Sequence, residues 1–196
     1  MKHFKQHFLI LSLITTALFL SGCKQEYPHI IIQTSLGDIT AEIYLKQAPV
    51  TAGNFLSLVE AGIFNADATF YRVVRDDNQP NNAVKIDVIQ GGLRDSRAKS
   101  LTPIRHETTQ ETGLQHLDGS LSMARSEPGT ADAEFFICIG DQPELDFGGQ
   151  RNPDGMGFAV FGRTIKGMDV VRKIQQQKDT NQYLIEPIKI LSIRKQ

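Results

Sequence analysis

Cysteine is scarce in this chain: 196 residues hold two, Cys23 and Cys138. Two cysteines allow at most one bridge, so a framework of internal disulfides is excluded. Charge of one sign is missing too. With 21 basic and 22 acidic residues the formal charge at pH 7 is −1, and nothing resembles the basic patch that nucleic acid requires, so nucleic acid is not expected as a partner. No apolar run reaches the roughly 20 residues of a comfortable membrane span. No unit repeats, and no tract is of low complexity. The acids of "DDNQPNN" (76–82) lack the Asp-x-Asp-x-Asp-Gly spacing of a calcium loop, and "DFGGQRNPDGMG" (146–157) lacks the Gly-Lys-Ser/Thr ending of a phosphate loop. The second stretch reads as a turn-rich connection. His29, His106 and His116 stand at no metal-ligand spacing and beside no Cys or Ser nucleophile, and are expected at the surface. No metal site is expected.

What is present begins with a leader. Lys2 and Lys5, without an acid, precede twelve mostly apolar residues, "LILSLITTALFL", and then small residues. This is the layout of a secretory signal peptide, assigned to 1–22. Leu20-Ser21-Gly22-Cys23 resembles the lipobox of bacterial lipoproteins, which implies that Cys23 carries lipid and becomes the mature N-terminus. Several acyl chains on one residue anchor stably in a membrane. Residues 23–28 form a short polar tether, and 29–196 a single domain of ordinary size. The same resemblance implies a place in the bacterial cell envelope, at the outer membrane facing the periplasm, because Lys24 stands where an Asp would favour retention in the inner membrane. Without Lys2 and Lys5 the formal charge falls to about −3. Cys138, within the apolar "FFICIG", reads as a buried, inert thiol.

Along the domain, "HIIIQTS" and "DITAEIYL" flank Leu36-Gly37 as a hairpin. "APVTAGNFLSLVEAG" is a helix with Pro49 in its first turn and Gly62 past its end, its apolar side made by Val50, Phe55, Leu58 and Val59. Strands follow at 69–74, 85–90, 119–124, 134–139 and 158–164, then a helix over 167–176 and a closing extended segment. Two helices and about eight strands predict a mainly β fold, a barrel or sandwich capped by helices. One strand contains an odd residue. In "ATFYRVV" strict alternation puts Phe70, Arg72 and Val74 on one face and Tyr71 and Val73 on the other. Neither face invites a guanidinium. Taken alone, Arg72 reads as a strand-edge arginine whose stem covers apolar surface.

Five stretches in order, "APVTAGNFLSLVEAGIF", "FYRVV", "VIQGG", "SMAR…AEFFICIG" and "GFAVFGRTIKGMDVV", resemble the cyclophilins, a family of peptidyl-prolyl cis-trans isomerases. The resemblance runs from Ile30 to about Ile193. It implies an eight-stranded antiparallel β-barrel capped by two helices, no cofactor, and proline-containing exported polypeptides as partners of a monomeric enzyme. Rotation about an Xaa–Pro bond meets a barrier of roughly 20 kcal/mol and takes tens of seconds or more unaided. When the bond twists, amide resonance is lost and the proline nitrogen becomes a hydrogen-bond acceptor. A fixed donor aimed there binds the twisted state better than either planar one. The resemblance assigns that donor to Arg72. It assigns the apolar pocket to Phe136 and Leu145 with Val88, orientation of the arginine to Gln90, and the peptide-lining positions to Ala124 and Arg125, the latter through its backbone.

The chain departs from the family pattern at Glu134, Phe158, Glu144 and Asp87, and the segment 75–87 is about ten residues longer than the family loop. Glu134 and Phe158 still fall at groove positions. Glu134 is expected to pair with Arg72; either Val84 or Ile86 replaces the aromatic lost at Asp87, or the pocket is more open there. Phe158 and Glu144 predict weak cyclosporin binding. Of Phe135 and Phe136, one is barrel core and the other pocket. Two other readings survive: a proline-peptide binding module or holdase with little turnover, and a structural envelope lipoprotein.

Overall fold

The computed structural model describes residues 27–94 and 101–196. The leader 1–22, Cys23 and the tether up to residue 26 lie outside the described residues.

Strand β1 (His29–Thr34) buries Ile30 and Ile32 and exposes His29 and Gln33, the period-two pattern of a strand with one wet face. It turns through Ser35-Leu36 into β2 (Gly37–Ile43). Gly37 has φ 138°, and a Cβ there would meet Val170 at 2.8 Å, so this corner needs glycine twice over. Helix α1 (Pro49–Glu60) comes next. It buries Thr51, Ala52, Phe55, Leu56 and Val59, while Val50 and Leu58 are only half-buried. The core side is therefore rotated slightly from the one expected. No side chain at its own N-terminus caps it. Instead Glu107, 2% exposed, accepts from the amides of Val50 (3.1 Å) and Thr51 (2.7 Å) and from the Thr51 hydroxyl (2.7 Å). Two otherwise orphaned helix donors are thus satisfied by a residue far along the chain.

Strands β3 (Thr69–Val74), β4 (Val88–Gly92), β5 (Ser120–Met123), β6 (Glu134–Cys138) and β7 (Ala159–Lys166) follow, with a single-turn helix α2 (Thr109–Thr112) between β4 and β5. Helix α3 (Met168–Gln175), a two-residue strand β8 (Asp179–Thr180) and the long β9 (Tyr183–Lys195) complete the chain. Each pairing is antiparallel, in the order β1-β2-β7-β5-β6-β4-β3-β9, and β9 returns to β1. The result is a closed eight-stranded barrel, with β8 attached to the start of β9. Closure leaves the eight barrel strands without an open edge. There are three described helices rather than two, the extra one being a turn capped by the Thr108 hydroxyl.

Inside the barrel the Phe55 ring lies 4.7 Å from Phe161, 5.3 Å from Phe64 and 5.4 Å from Phe135. Each of these buried rings contributes up to about 3 kcal/mol by removal from water. Helix α1 packs on β7 and β9, and α3 on β2, β3 and β4. A second apolar cluster forms outside the barrel from Val74, Ile86, Val88, Phe136, Cys138 and Leu145, with Ala124 and Phe158 against it. Phe135 thus belongs to the core and Phe136 to the outer cluster. Cys138 is fully buried, and burial drives its thiol pKa well up, so it stays protonated.

Two expectations need correction. The fourth strand starts at Val88 rather than 85, because the preceding loop is fastened to itself. Gln79, 1% exposed, donates to the Ile86 carbonyl (2.7 Å) and accepts from the Ile86 amide (3.3 Å), taking the place of a neighbouring strand. The alternation along β3 also fails. Its register against β4 shifts between Phe70, opposite Gly91, and Arg72, opposite Gln90, so Tyr71 is an extra residue without a partner position on β4. Past this bulge the inward residue is Val73, which joins Phe70 in the core, while Val74 joins the outer cluster. A bulge bends its strand and re-aims a side chain. That is how a guanidinium fits into this strand without entering the barrel.

Candidate functional site

On the outer face of the barrel, cross-strand pairing sets Arg72, Gln90, Phe136 and Ser122 in one row over β3, β4, β6 and β5. Above this row opens a groove of about 410 Å³. All nine groove residues expected from the sequence, Arg72, Val88, Gln90, Ala124, Arg125, Glu134, Phe136, Leu145 and Phe158, line it. Ile86 lines it too, so Ile86 rather than Val84 supplies the missing wall. Asp87 turns away, accepting from Gln175 (3.1 Å), and Glu144 accepts from the Gln150 amide (2.8 Å).

The half-buried Arg72 is held at both edges. Its Nη1 donates to Gln90 Oε1 at 2.8 Å, while Nε and Nη2 donate to Gln182 Oε1 at 3.0 and 2.5 Å. Both acceptors are neutral, so the positive charge is oriented without being cancelled. Three of the five guanidinium N–H groups are engaged, which leaves two for a ligand. Gln182 was not foreseen. Its only sequence signal is its place in a two-residue hairpin loop between β8 and β9, where Asn181 and Gln182 have φ 51° and 73°. Such loops favour glycine at the second position. A glutamine held there at positive φ points to a side chain that is needed.

Glu134 does not pair with Arg72 directly. Its Oε2 accepts from the Tyr71 hydroxyl (2.6 Å) and from Gln90 Nε2 (3.0 Å), and Gln90 Nε2 also donates to the Tyr71 oxygen (2.8 Å). These contacts fix the Gln90 amide so that its oxygen faces Arg72. Burial, with Glu134 alongside, drives the Tyr71 pKa well up, so its hydroxyl stays a donor. Arg125 presents its main chain and stem. Its guanidinium is taken up by Asp154 (2.8 and 3.0 Å) and by the Gly157 carbonyl (2.9 and 2.6 Å).

Behind the pocket floor the His116 ring stacks on Phe136 at 5.8 Å, and Phe158 meets Phe136 edge-on at 5.3 Å. His116 is 1% exposed, contrary to the surface position expected for it. Its Nδ1 lies 2.7 Å from Asp146 and its Nε2 3.0 Å from the Ser122 hydroxyl. Burial lowers its pKa, which keeps the ring neutral, donating to Asp146 and accepting from Ser122. The trio has the order of a nucleophilic triad, but Ser122 is fully buried and no substrate reaches it. Its work is to brace Phe136. His29 is exposed and His106 is half-buried. Ser126, Thr130, Asp132, Arg151 and Asn152 complete the groove and were not foreseen. The groove therefore joins an apolar pocket of Ile86, Val88, Phe136, Leu145 and Phe158 to one rigidly aimed cation.

A family model described as cyclophilin type peptidyl-prolyl cis-trans isomerase/CLD matches residues 29–195. Peptidyl-prolyl cis-trans isomerase A of Dickeya dadantii (strain 3937) is 34% identical over 181 residues, covering 88% of this chain and 86% of its own length. A peptidyl-prolyl cis-trans isomerase of Acinetobacter baylyi is 34% identical over 193 residues, covering 93% of each. Among solved structures, the cyclophilin-type isomerase of Cryptosporidium parvum superposes with a TM-score of 0.70 at 23% identity, over 87% of this chain and 98% of its own. That protein has also been solved in the presence of the dipeptide Ala-Pro, with a TM-score of 0.68 to this chain.

Proposed function

Because this chain belongs to the cyclophilin-type peptidyl-prolyl cis-trans isomerases, we propose that Arg72 is its catalytic donor and that it acts on exported polypeptides as they fold. The supporting observation is the guanidinium fixed by Gln90 and Gln182 beside an apolar pocket, with two N–H groups left over. The proline ring enters the pocket of Ile86, Val88, Phe136 and Leu145. The peptide on either side lies along Ala124 and Arg125, bonding main-chain groups.

In the planar ground states the proline nitrogen has no available lone pair, and Arg72 gains little from it. At the twisted transition state the nitrogen is pyramidal and accepts from Arg72, so the interaction appears only where the barrier lies. Removing a donor of this kind costs about 10²–10³ in rate. The neutral partners matter because a carboxylate in their place would cancel the charge that does this work. Proton transfer, nucleophile and metal have no part in the step. The reaction breaks no covalent bond.

The lipobox-like Leu20-Ser21-Gly22-Cys23 supports an envelope location, with acyl chains on Cys23 holding the domain at the membrane surface. Uncatalysed prolyl isomerisation takes tens of seconds and limits folding outside the cytoplasm as elsewhere. Two experiments test this reading. Arg72→Lys keeps the charge but loses the fork, and should lower kcat/KM for an Ala-Pro peptide by at least tenfold; an unchanged rate would remove Arg72 from the mechanism. Cys23→Ser should abolish incorporation of labelled palmitate, and persistent labelling would refute the anchor.

A further inference from the structure

Three arginines line the groove, and their charges are handled differently. Arg125 is neutralised by Asp154. Arg72 bonds only two glutamine oxygens. Arg151, half-buried, donates through Nη1 alone, to the Val84 carbonyl at 2.6 Å and to Gln79 Oε1 at 3.2 Å. Among the described residues neither Arg72 nor Arg151 forms an ion pair. The two acids that also line the groove do not answer Arg151. Glu134 is engaged by Tyr71 and Gln90, and Asp132 accepts from the Ala133 amide. Burial and repulsion by Arg72 both lower the Arg151 pKa, and no carboxylate offsets them.

The anchoring is specific. Arg151 comes from the turn-rich stretch 146–157, and its acceptors come from the long 75–87 segment, so both of the chain's unusual loops meet at this side chain. With Nη1 fixed to two oxygens, the edge formed by Nε and Nη2 carries no bond to a described residue. That edge is the one that takes a carboxylate with two parallel hydrogen bonds. A half-buried guanidinium without a counter-ion is costly unless a ligand supplies one.

We propose that Arg151, together with Arg72, forms an anion-reading subsite at one end of the groove, so that the enzyme prefers prolyl bonds with Asp or Glu within two residues of the proline. The inference rests on the isomerase reading and adds a substrate class to it. The acidic side chain docks on the Nε–Nη2 edge of Arg151 while the proline ring fills the neighbouring pocket. Arg72 stays directed at the proline nitrogen. Its charge adds to the field that draws the acid in.

The test compares kcat/KM of the purified protein on short proline peptides that carry Glu, Gln or Lys at each of the two positions on either side of proline. At one position Glu should exceed Lys by about tenfold, the factor given by one hydrogen bond to a charged group. The Glu advantage should shrink in 0.5 M salt. Arg151→Gln should bring the Glu-to-Lys ratio close to one. Arg151→Lys, which keeps the charge without the fork, should leave part of it. Equal rates for all three peptides at every position overturn the proposal, whether or not the variants fold. So does a ratio that persists unchanged in Arg151→Gln. Absence of acceleration on the neutral Gln peptides is a different outcome, because it refutes the underlying isomerase reading.

Discussion

Replacing Gln182 by Gly separates the positioning of Arg72 from the stability of the fold. Gln182 supplies the acceptor for two of the three hydrogen bonds that hold the guanidinium. In the variant Nη1 keeps its bond to Gln90, and the rest of the side chain is free to swing. Water satisfies the released donors, so the loss is one of orientation rather than of bonding. An arginine side chain carries about 2 kcal/mol of rotamer entropy when unrestrained, and if most of it returns, kcat/KM should fall by about 10- to 30-fold. The fall should lie in kcat, because the apolar pocket that binds proline is untouched. Stability should move little. Position 182 has φ 73°, a conformation that costs a side-chain-bearing residue about 1–2 kcal/mol and glycine almost nothing. That relief offsets the lost bonds and the greater entropy of glycine in the unfolded chain. Gln182→Ala keeps the strain, and should lose both activity and about 1 kcal/mol or more of stability. Progress curves on an Ala-Pro peptide, with thermal unfolding of the same samples, decide the matter. A kcat within twofold of the wild-type value in Gln182→Gly would refute the positioning argument.

Glu134→Gln should lower kcat/KM by about three- to tenfold, because the neutral amide accepts more weakly from Tyr71 and Gln90 and lets the Gln90 amide rotate; an unchanged rate would show that Gln90 needs no such support. Glu107→Ala leaves the amides of Val50 and Thr51 unsatisfied at the buried start of α1, and should lower unfolding free energy by about 2–4 kcal/mol in a urea titration, at unchanged kcat. The His116 pKa is lowered in the folded protein, so below the ordinary value of about 6.5 the unfolded chain binds the extra proton first. Stability should therefore decline as pH falls through 6.5 toward 5, with a contribution from this site of up to 1.4 kcal/mol per pH unit. Unfolding measured across that range should show a shallower slope in His116→Asn, and an identical slope would assign the effect elsewhere.

The sequence revealed the barrel and its groove well because both rest on local pattern and on ordered motifs. Nine groove residues fell where the motifs put them. What it hid depends on register or on distant partners. Strict alternation misplaced Arg72 because a bulge adds one residue to β3, and nothing in "TFYRVV" marks it. His116 sits between Gln115 and Leu117, neighbours that mark it for neither surface nor core; its burial follows from Asp146 and Ser122 arriving from other elements. Glu107 has no mark in its own neighbourhood, because its role comes from the start of α1, more than fifty residues away. Gln182 and Arg151 lie in loops whose composition announces only turns. Their roles come from partners more than sixty residues away: the Arg72 guanidinium for Gln182, and the Gln79 amide oxygen and Val84 carbonyl for Arg151.

The central claim is that one oriented guanidinium stabilises the twisted prolyl bond. Its most direct test is the rate of cis-to-trans conversion of an Ala-Pro peptide by the wild-type protein and by Arg72→Ala, with peptide binding measured in both. The wild type should accelerate the conversion, and the variant should lose about 10²–10³ of that rate while keeping peptide affinity within a few-fold of the original. Equal rates in the two proteins, with the variant folded, would contradict it.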